Sequence, residues 1–360
     1  MNKKKIAILI ICIVAIAATI FAFDFSEDFK KTTYAMATQV DISLKGKNCE
    51  NIYDKINKRI VECENREISK NISTSDVSKI NELKSYEVSD KTLSYIKKMI
   101  DFSKNCNGTI DITVGELTDA WGIGTQDFKV LSKEDVDKIL VGVGYENIRI
   151  ENNKVYISQN QSIDFGCVGK GIACDEALEI IENTNLKNAV VSVGGSAVLW
   201  SEKNDKEFSV GIREPQKDSA DYIITVKTNN IFVSTSGTYE RYSEDKSGKT
   251  YHHILSTDTG YPVENDILSV SVFCDEGWLS DALSSACLVM GYEESAELLK
   301  KYDAQAVFVF KDKSIKVSDG FSLKLNVVSD EYKLIEKDSW KWKIFSHEKL
   351  NKENCSEDSI

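Results

Sequence analysis

Two short segments carry residues that could together bind a phosphate group and a divalent cation. In residues 163–173 (IDFGCVGKGIA), an apolar strand is predicted to end at Asp164, and a helix to run from about Lys170 to Glu182. Backbone N–H groups at a helix start favour an anion, and Lys170 adds a positive charge at the same place. The spacing is not that of a Walker phosphate-binding loop. The alternative interpretation is an ordinary strand-to-helix turn with a surface lysine.

The second segment, residues 280–290 (SDALSSACLVM), places a carboxylate and a hydroxyl on one face of a predicted helix. Asp281 and Ser285 are four residues apart, so their oxygens lie one above the other, whereas Leu283 and Cys287 fall at core-facing positions. Mg²⁺ prefers six hard oxygen ligands and often takes only one or two from side chains. The pattern suits a Mg²⁺ site completed by backbone and phosphate oxygens. The alternative is that Asp281 is only an N-cap or first-turn residue.

A third region follows at residues 231–237 (IFVSTSG) and at the pair His252-His253. Hydroxyls in a Ser-Thr-Ser-Gly turn can bind a polar ligand, and His253 could contact a phosphate or handle a proton. A lone histidine beside apolar residues is more often structural, and His252 is the predicted surface residue. Gly194-Gly195 permits a close approach of the backbone, or is simply a bend.

The elements that must position these residues alternate between helices and strands. Ser89 is predicted to cap a helix that stops before Asn107-Gly108, and Ser132 with Asp135 resembles a capping box. A hairpin around Asn152-Asn153 and further strands are indicated at 148–150, 155–157, 189–193, 208–212, 222–226 and 306–310. Hairpins mixed with helices predict an α+β fold.

Composition limits the functions open to the chain. Its 360 residues carry a formal charge of −12, which argues against a nucleic-acid binder that works by neutralising phosphates. Nine cysteines are scattered without a C-x-x-C pair. Disulfides are the default expectation for an exported protein. Cys174 and Cys287, however, sit among apolar helix positions, where a small buried hydrophobe is expected.

The N-terminus predicts a membrane segment. Three lysines, Lys3 to Lys5, precede an uncharged apolar run over residues 6–23, which reaches the lower limit of roughly 17–25 residues for a spanning helix. The lysines should stay in the cytoplasm, so the rest of the chain is exported. A retained anchor is predicted; a cleaved signal peptide is the alternative.

Four parts are therefore predicted along the chain: a membrane segment (1–23), a linker (24–33), one domain (34–328) and a charged extension (329–360). The extension contains one aromatic run, residues 340–345 (WKWKIF), interpreted as a strand or a docking segment.

The order of the motifs resembles that of the ApbE family, the FAD:protein FMN transferases, over about residues 34–328. Residues 109–115 (TIDITVG) and 121–124 (WGIG) resemble the family's "FDxTVGxL…WGFG", and 164–171 its "DLGGIAKG". The other resemblances are 36–38 to "MGT", 69–81 to "SxYxxxSEIxxLN", 193–195 to "NIGGN", 234–237 to "ATSG", 251–262 to "YSHIIDPRTGYP" and 281–286 to "DALATA".

The resemblance implies a T-fold-like α+β core of mixed, largely antiparallel sheets, and it implies roles for named residues. The implied FAD contacts are Met36, Asn71, Thr109, Ile110, Asp111, Asp164, Lys170 and Leu255. The implied Mg²⁺ ligands are the main-chain oxygen of Cys167 with Asp281, Ser285 and also Ser284. His253 and Asp281 are the candidate catalytic residues.

The implied reaction is Mg²⁺-dependent transfer of FMN from FAD to a threonine or serine of an exported acceptor flavoprotein, such as a subunit of a membrane redox complex, with release of AMP. The enzyme would lie at the cell membrane with its catalytic domain on the extracytoplasmic side. Asn71 stands where the family commonly has an aromatic, which could let water compete and give an FAD pyrophosphatase. Ser256 and Thr257 replace the family's Asp-Pro, which affects the expected loop geometry. A non-catalytic surface FAD-binding protein is the third reading, against which Asp281 and Ser285 argue.

Overall fold

A nine-stranded, mainly antiparallel sheet forms the centre of the fold. The computed structural model describes residues 26–216 and 219–335. Within them the strands are β1 (Glu27–Ala35), β2 (Thr38–Gly46), β3 (Ser85–Glu87), β4 (Arg149–Glu151), β5 (Lys154–Tyr156), β6 (Leu186–Val193), β7 (Ser196–Ser201), β8 (Phe208–Arg213), β9 (Tyr222–Thr228), β10 (Ile231–Gly237), β11 (Tyr242–Glu244), β12 (Thr250–His252), β13 (Ile267–Cys274), β14 (Gln305–Phe310), β15 (Ser314–Val317), β16 (Lys324–Val327) and β17 (Lys333–Leu334).

Helices are inserted between the strands. They are α1 (Cys49–Cys63), α2 (Asp76–Leu83), α3 (Asp90–Asn105), α4 (Gly115–Trp121), α5 (Lys133–Leu140), α6 (Gly169–Glu182), α7 (Gly277–Met290) and α8 (Ser295–Lys301), with a π-helical turn at Glu64–Ile68 and a 3₁₀ turn at Tyr145–Asn147.

The order of strands in the large sheet is β1-β2-β6-β7-β10-β13-β14-β15-β17, and every neighbouring pair is antiparallel except β15 and β17. Smaller sheets have the orders β16-β9-β8, β3-β5-β4 and β11-β12. The prediction of an α+β fold with largely antiparallel sheets is confirmed for the described residues.

The large sheet separates two apolar layers. Successive side chains of a strand point to opposite faces, so each strand feeds both layers. On one face Ile42 and Val191, which pair across β2 and β6, pack with Ile56 of α1. On the other, Phe273 of β13 packs with Ile224 of the three-stranded sheet. Helices α6 and α7 lie on the first of these faces, with β7 and β10 beneath them.

Most predicted elements are confirmed. Ser89 and Ser132 each accept a hydrogen bond from the backbone N–H three residues on, as N-caps of α3 and α5. The hairpin around Asn152-Asn153 is β4 and β5, and the four other predicted strands are β6, β8, β9 and β14.

Two predictions of local structure are wrong. No strand ends at Asp164: the segment makes only an isolated bridge at Ser162, and the N–H of Asp164 donates to the carbonyl of Ile112. Ser234–Gly237 is not a turn but the end of β10, because its residues pair with β13. The turn follows Gly237.

The predicted membrane segment and the aromatic run at 340–345 lie outside the described residues. Among the residues that are described, no helix is long and apolar enough to cross a membrane. The seven cysteines in these ranges are free thiols, so no disulfide joins two of them and the expectation of disulfides is wrong for pairs within the described residues. Cys174 and Cys287 are buried, as predicted.

Candidate active site

The starts of helices α6 and α7 meet at two glycines. A Cβ added to Gly171 would overlap the carbonyl oxygen of Gly277 and lie 2.8 Å from Cβ of Asp281. Because neither glycine has a side chain, the backbones can touch. Asp281 Oδ2 accepts a hydrogen bond from the N–H of Gly171 at 3.0 Å, and Asp281 Oδ1 lies 3.7 Å from Lys170 Nζ. The two sequence segments predicted to bind a phosphate and a cation are therefore adjacent.

Asp175, which no sequence motif singles out, holds the start of α7. Its carboxylate accepts the N–H groups of Gly277 at 2.7 Å and Trp278 at 2.8 Å. Burial raises the pKa of Asp175 to about 6, although these two N–H groups act in the opposite direction. Since α7 begins at Gly277, Asp281 lies in its second turn, and the N-cap or first-turn alternative for Asp281 is wrong.

A row of hydroxyls joins β10 to α7. Ser236 Oγ lies 2.8 Å from Ser284 Oγ and 3.1 Å from Ser285 Oγ. Ser284 is fully buried and donates to the carbonyl of Asp281 at 2.9 Å. Ser285 is only partly buried and lies on the same helix face as Asp281. Of the two predicted hydroxyl ligands, Ser285 is thus the better placed, and Ser284 is held by its own helix.

The donor set around Asp281 fits Mg²⁺. In residues 26–216 and 219–335 there is no group of three His, Cys, Asp or Glu side chains arranged to hold a metal. A cation here would depend on the Asp281 carboxylate, the Ser285 hydroxyl and main-chain oxygens, which are the hard ligands that Mg²⁺ prefers. Cys167 shares this environment: burial, Asp164 and Asp281 all raise the pKa of its thiol.

Asp164 is held by Lys70, a residue that the sequence analysis missed. Its Oδ2 lies 2.9 Å from Lys70 Nζ and accepts from Thr118 Oγ1 at 2.8 Å, and its Oδ1 accepts the N–H of Gly166 at 2.7 Å. Burial acts to raise the pKa of Asp164, but Lys70, Thr118 and the N–H of Gly166 together outweigh burial, and the pKa is lowered. Lys70 also donates to Asp119 Oδ1 at 2.6 Å. In the sequence, the one sign that Lys70 belongs to the site is that it precedes Asn71, an implied FAD contact.

The hairpin between β1 and β2 closes one side of the site. Met36 and Ala37 form its two-residue turn with φ of 53° and 55°, a left-handed conformation that suits this type of hairpin. The N–H of Met36 donates to Glu64 Oε2 at 2.8 Å. Gly194 also has a positive φ, and a Cβ there would lie 3.3 Å from Lys170 Cδ. Gly194 and Gly195 form the turn between β6 and β7, so this segment is a bend that also permits a close approach, and the two alternatives hold together.

Both carboxylate oxygens of Asp111 accept hydrogen bonds from the protein itself. Its Oδ1 accepts from Thr113 N at 2.8 Å and Oγ1 at 2.7 Å, and its Oδ2 accepts from Tyr145 N at 2.7 Å. The carboxylate therefore ties two loops together. Of the other FAD contacts implied in this segment, Ile110 is buried, while Thr109 lines an open cavity of about 530 Å³ together with residues 256–264 and the end of α7.

The loop that carries Leu255 is ordered despite the loss of Asp-Pro. Leu255 pairs with Pro262, and Ser256 Oγ accepts the backbone N–H groups two and three residues further on, each at 3.2 Å. Thr257 Oγ1 donates to the carbonyl of Gly108 at 2.8 Å. The two replacement hydroxyls thus hold this turn and join it to the segment before Thr109.

His253 is held through Arg241. Its backbone N and its Nδ1 each lie 3.1 Å from the carbonyl oxygen of Arg241. Burial and the nearby charges of Arg241 and Lys170 lower the pKa of His253 to about 3. A carbonyl can only accept, so Nδ1 carries the proton and Nε2 of the neutral ring has a free lone pair. The ring therefore presents a hydrogen-bond acceptor at Nε2, and its lowered pKa makes it a weak base.

His252 was predicted to be the surface residue of the pair, and this is wrong. It is half-buried, its Nε2 donates to the carbonyl of Val263 at 2.8 Å, and burial lowers its pKa. Since β12 ends at His252, this side chain packs against the loop that follows, whereas His253 turns to the carbonyl of Arg241.

An aromatic cluster brings two of the motifs together. Trp121 Nε1 donates to the carbonyl of Gly260 at 2.8 Å, and its ring lies 5.7 Å from Tyr251 and 5.6 Å from Tyr261, centroid to centroid. The WGIG segment thereby supports the loop that carries His253. Asn71, by contrast, is exposed and makes its only described hydrogen bond to Ser69 within its own loop, at 3.3 Å.

Comparison with known proteins agrees with this arrangement. The model of the ApbE family matches residues 36–309. The chain is 27% identical over 266 residues to the FAD:protein FMN transferase of Treponema pallidum, covering 69% of this chain and 73% of that one. It is 27% identical over 240 residues to the enzyme of the same name from Escherichia coli K12, covering 64% and 68%.

Two solved structures share the fold. The ApbE protein of Thermotoga maritima has a TM-score of 0.74 at 28% identity, over 81% of this chain and 97% of that one. The flavin transferase ApbE of Vibrio cholerae has a TM-score of 0.67 at 22% identity, over 85% and 98%.

Proposed function

This chain belongs to the ApbE family, and we propose that it is a Mg²⁺-dependent FAD:protein FMN transferase. It would cleave FAD, link FMN through a phosphoester bond to a threonine or serine of an acceptor flavoprotein, and release AMP. The observation that carries the proposal is the distance of 3.7 Å between Lys170 Nζ and Asp281 Oδ1. At this distance the ammonium group of Lys170, which would bind phosphate, lies beside the carboxylate of Asp281, which would bind the divalent cation.

In the reaction, the acceptor hydroxyl attacks the phosphorus on the FMN side. A new P–O bond forms, the bond to the bridging oxygen breaks, and AMP leaves with that oxygen. Lys170 binds the diphosphate at the positive end of the α6 dipole. Asp281, Ser285 and the main-chain oxygen of Cys167 would hold Mg²⁺. When bound, this ion supplies neutralisation of the charge that grows on the leaving group.

His253 accepts a hydrogen bond from the acceptor hydroxyl. Two alternatives were open from the sequence, a contact to phosphate and proton transfer. A neutral ring whose Nδ1–H is held by the Arg241 carbonyl offers a lone pair at Nε2 and no second donor. The tautomer therefore supports a hydrogen bond from the acceptor hydroxyl to Nε2 that orients the hydroxyl, and the proton passes to water as the P–O bond forms, because a ring with a pKa of about 3 is too weak a base to keep it.

Hydrolysis of FAD to FMN and AMP is the second candidate function. Asn71 favours it, because an exposed asparagine cannot stack on adenine as an aromatic ring does. A less firmly held nucleotide gives water more opportunity to replace the acceptor hydroxyl. Both reactions would use the same cation site and the same diphosphate site.

The place of action follows from the N-terminal sequence. Residues 1–23 would anchor the chain in the cell membrane, with the catalytic domain on the extracytoplasmic side. The acceptor would then be an exported flavoprotein, such as a subunit of a membrane redox complex. Digestion of intact cells with an added protease tests this, because only an outward-facing domain is degraded.

One assay separates the functions. The full-length chain is incubated with FAD, Mg²⁺ and an exported flavoprotein domain that carries a candidate threonine; a copy with that threonine replaced by alanine serves as the control. Flavin fluorescence on the denatured acceptor, together with stoichiometric AMP, is the expected result. Free FMN and AMP without a labelled acceptor would favour the pyrophosphatase. Intact FAD after incubation would contradict both enzyme functions and leave a binding protein.

A further inference from the structure

An apolar groove lies at the end of the large sheet formed by β14, β15 and β17, outside the site described above. It has a volume of about 370 Å³, within the range of roughly 300–1,000 Å³ of pockets that enclose small organic molecules. Among the residues that line it are Tyr292, Ala296, Phe308, Phe321, Leu334 and Ile335.

The floor of the groove is aromatic and well supported. The ring of Tyr292 packs edge-on against Phe308 with centroids 5.1 Å apart, and its hydroxyl donates to the carbonyl of Val317 at 2.9 Å. Leu334, on the rim, exposes 41% of its surface. A contiguous open apolar surface of this kind marks a site that something covers.

The chain itself runs into this groove. β17 lies parallel to β15, with Leu334 opposite Ile315, and the N–H of Ile335 donates to the carbonyl of Ile315 at 2.8 Å. Leu334 and Ile335, the last residues that the structure describes, both line the groove. The described chain thus ends inside the surface that needs a cover.

The sequence beyond Ile335 supplies a suitable segment. Residues 340–345 (WKWKIF) alternate, so that Trp340, Trp342 and Ile344 share one side of an extended chain. Five residue steps separate Trp340 from Ile335, and an extended chain covers them with at most about 18 Å. The rest of the extension is mainly polar or charged.

The tether, rather than charge, favours the same match. Lys341 and Lys343 alternate with the apolar residues of the segment, but both Glu293 and Lys316 line the groove, so charge does not decide the match. A tether of four residues keeps the segment at millimolar effective concentration near the groove, which favours docking within one chain over capture by another molecule.

We propose that residues 340–345 dock in this groove of their own chain, with the indoles of Trp340 and Trp342 on the aromatic floor. The segment would close the end of the sheet beyond β17 and cover apolar surface that the domain otherwise exposes. This inference is independent of the flavin chemistry.

Hydrogen–deuterium exchange on the full-length chain tests the proposal. Three variants are compared: a deletion of residues 336–360, the double substitution Trp340→Ala/Trp342→Ala, and a control deletion of residues 350–360 that leaves the aromatic run intact. Amides of residues 316–321 should exchange about tenfold faster in the first two variants and at the original rate in the control. Equal exchange in all four proteins would overturn the proposal.

A groove-side variant makes the test independent of the tail. Ala296→Trp should fill the groove, since this alanine lines it and is partly exposed, and should make residues 340–345 accessible to protease at least about tenfold faster. Exchange in α3, which does not line the groove, reports whether the fold is intact. Protection of residues 340–345 that requires anionic lipid vesicles, or that rises with protein concentration, would assign the segment to a membrane or to a second copy and so contradict docking within the chain.

Discussion

The N–H of Gly171 donates to the carboxylate of Asp281, and this hydrogen bond of 3.0 Å fixes the candidate cation ligand to the start of α6, beside Lys170. It forms because the Gly171 and Gly277 backbones are in contact. The start of α6 and the proposed oxygen ligands of α7 are thereby parts of one junction.

Replacing Gly171 with alanine should separate the two helices. The new Cβ would overlap the backbone oxygen of Gly277, which cannot move aside as a flexible side chain could. We expect a loss of about 1–3 kcal/mol in the free energy of unfolding, and FAD turnover reduced in parallel. Gly169→Ala is the matched control, because its nearest contact would be the tip of Ile68 at an ordinary 3.4 Å. Urea denaturation and an AMP-release assay measure both effects; equal behaviour of the two variants would contradict the assignment.

The neighbouring serines of α7 should differ in what they do. Ser285→Ala should raise the Mg²⁺ concentration needed for half-maximal activity about tenfold or more, because it removes a proposed ligand. Ser284→Ala should mainly lower stability, by about 1 kcal/mol, since that hydroxyl is buried and bonded to the Asp281 carbonyl. Mg²⁺ titrations combined with thermal unfolding check this. The reverse pattern would make Ser284 the ligand.

His253 should stay neutral throughout the physiological range, because its pKa is lowered to about 3. The pH profile of kcat/KM for FAD should therefore show no inflection near 6.5 from this residue. His253→Ala should lower the rate by about 100-fold at every pH between 5 and 8, because the acceptor hydroxyl loses the group that orients it. His252→Ala is the control. An inflection near pH 6.5 that disappears in His253→Ala would contradict the prediction.

The lowered pKa of His253 also makes the free energy of unfolding depend on pH. Between pH 3 and 6.5 the unfolded chain binds a proton at His253 that the folded protein does not, so the contribution of this residue to stability falls as the pH drops below 6.5. His253→Gln should flatten the stability curve over that window, measured by urea denaturation at pH 4.5 and 7.

Asn71 should set the balance between transfer and hydrolysis. Asn71→Tyr supplies a ring that can stack on adenine, and base–aromatic stacking is worth about 1–3 kcal/mol. We expect the KM for FAD to fall about tenfold and the ratio of labelled acceptor to free FMN to rise. Asn71→Ala, which adds no ring, should leave both quantities nearly unchanged. A ratio that moves equally in the two variants would remove the stacking explanation.

Local pattern was enough to predict much of the fold. The caps at Ser89 and Ser132 and the alternation in β6 and β14 depend on near neighbours in the sequence, and they are confirmed. The strand predicted to end at Asp164 is wrong, because an apolar run does not indicate whether a neighbouring strand is present to pair with it. For β10 the error was the opposite: serine and glycine suggested a turn, and pairing with β13 overrode that preference.

The candidate site was predictable only in part. The i and i+4 relation of Asp281 and Ser285 is a property of one helix and can be derived from the sequence. Lys70 and Asp175 were missed because each acts on a partner distant in the chain, Asp164 and the N–H of Gly277 respectively. Such tertiary pairs leave no local pattern. The resemblance gave the order of motifs, not these supports.

The central claim is that a cation held at Asp281 acts on the diphosphate of FAD, and one comparison tests it most directly. Asp281→Asn keeps an oxygen that can accept the N–H of Gly171 but removes the charge that a metal requires. AMP release from FAD is measured for the original chain and this variant, with Mg²⁺ and with a chelator. We predict that chelation and the substitution each reduce the rate by about 100-fold or more, with no further loss when they are combined. Turnover in Asp281→Asn equal to that of the original chain and insensitive to the chelator would contradict the account.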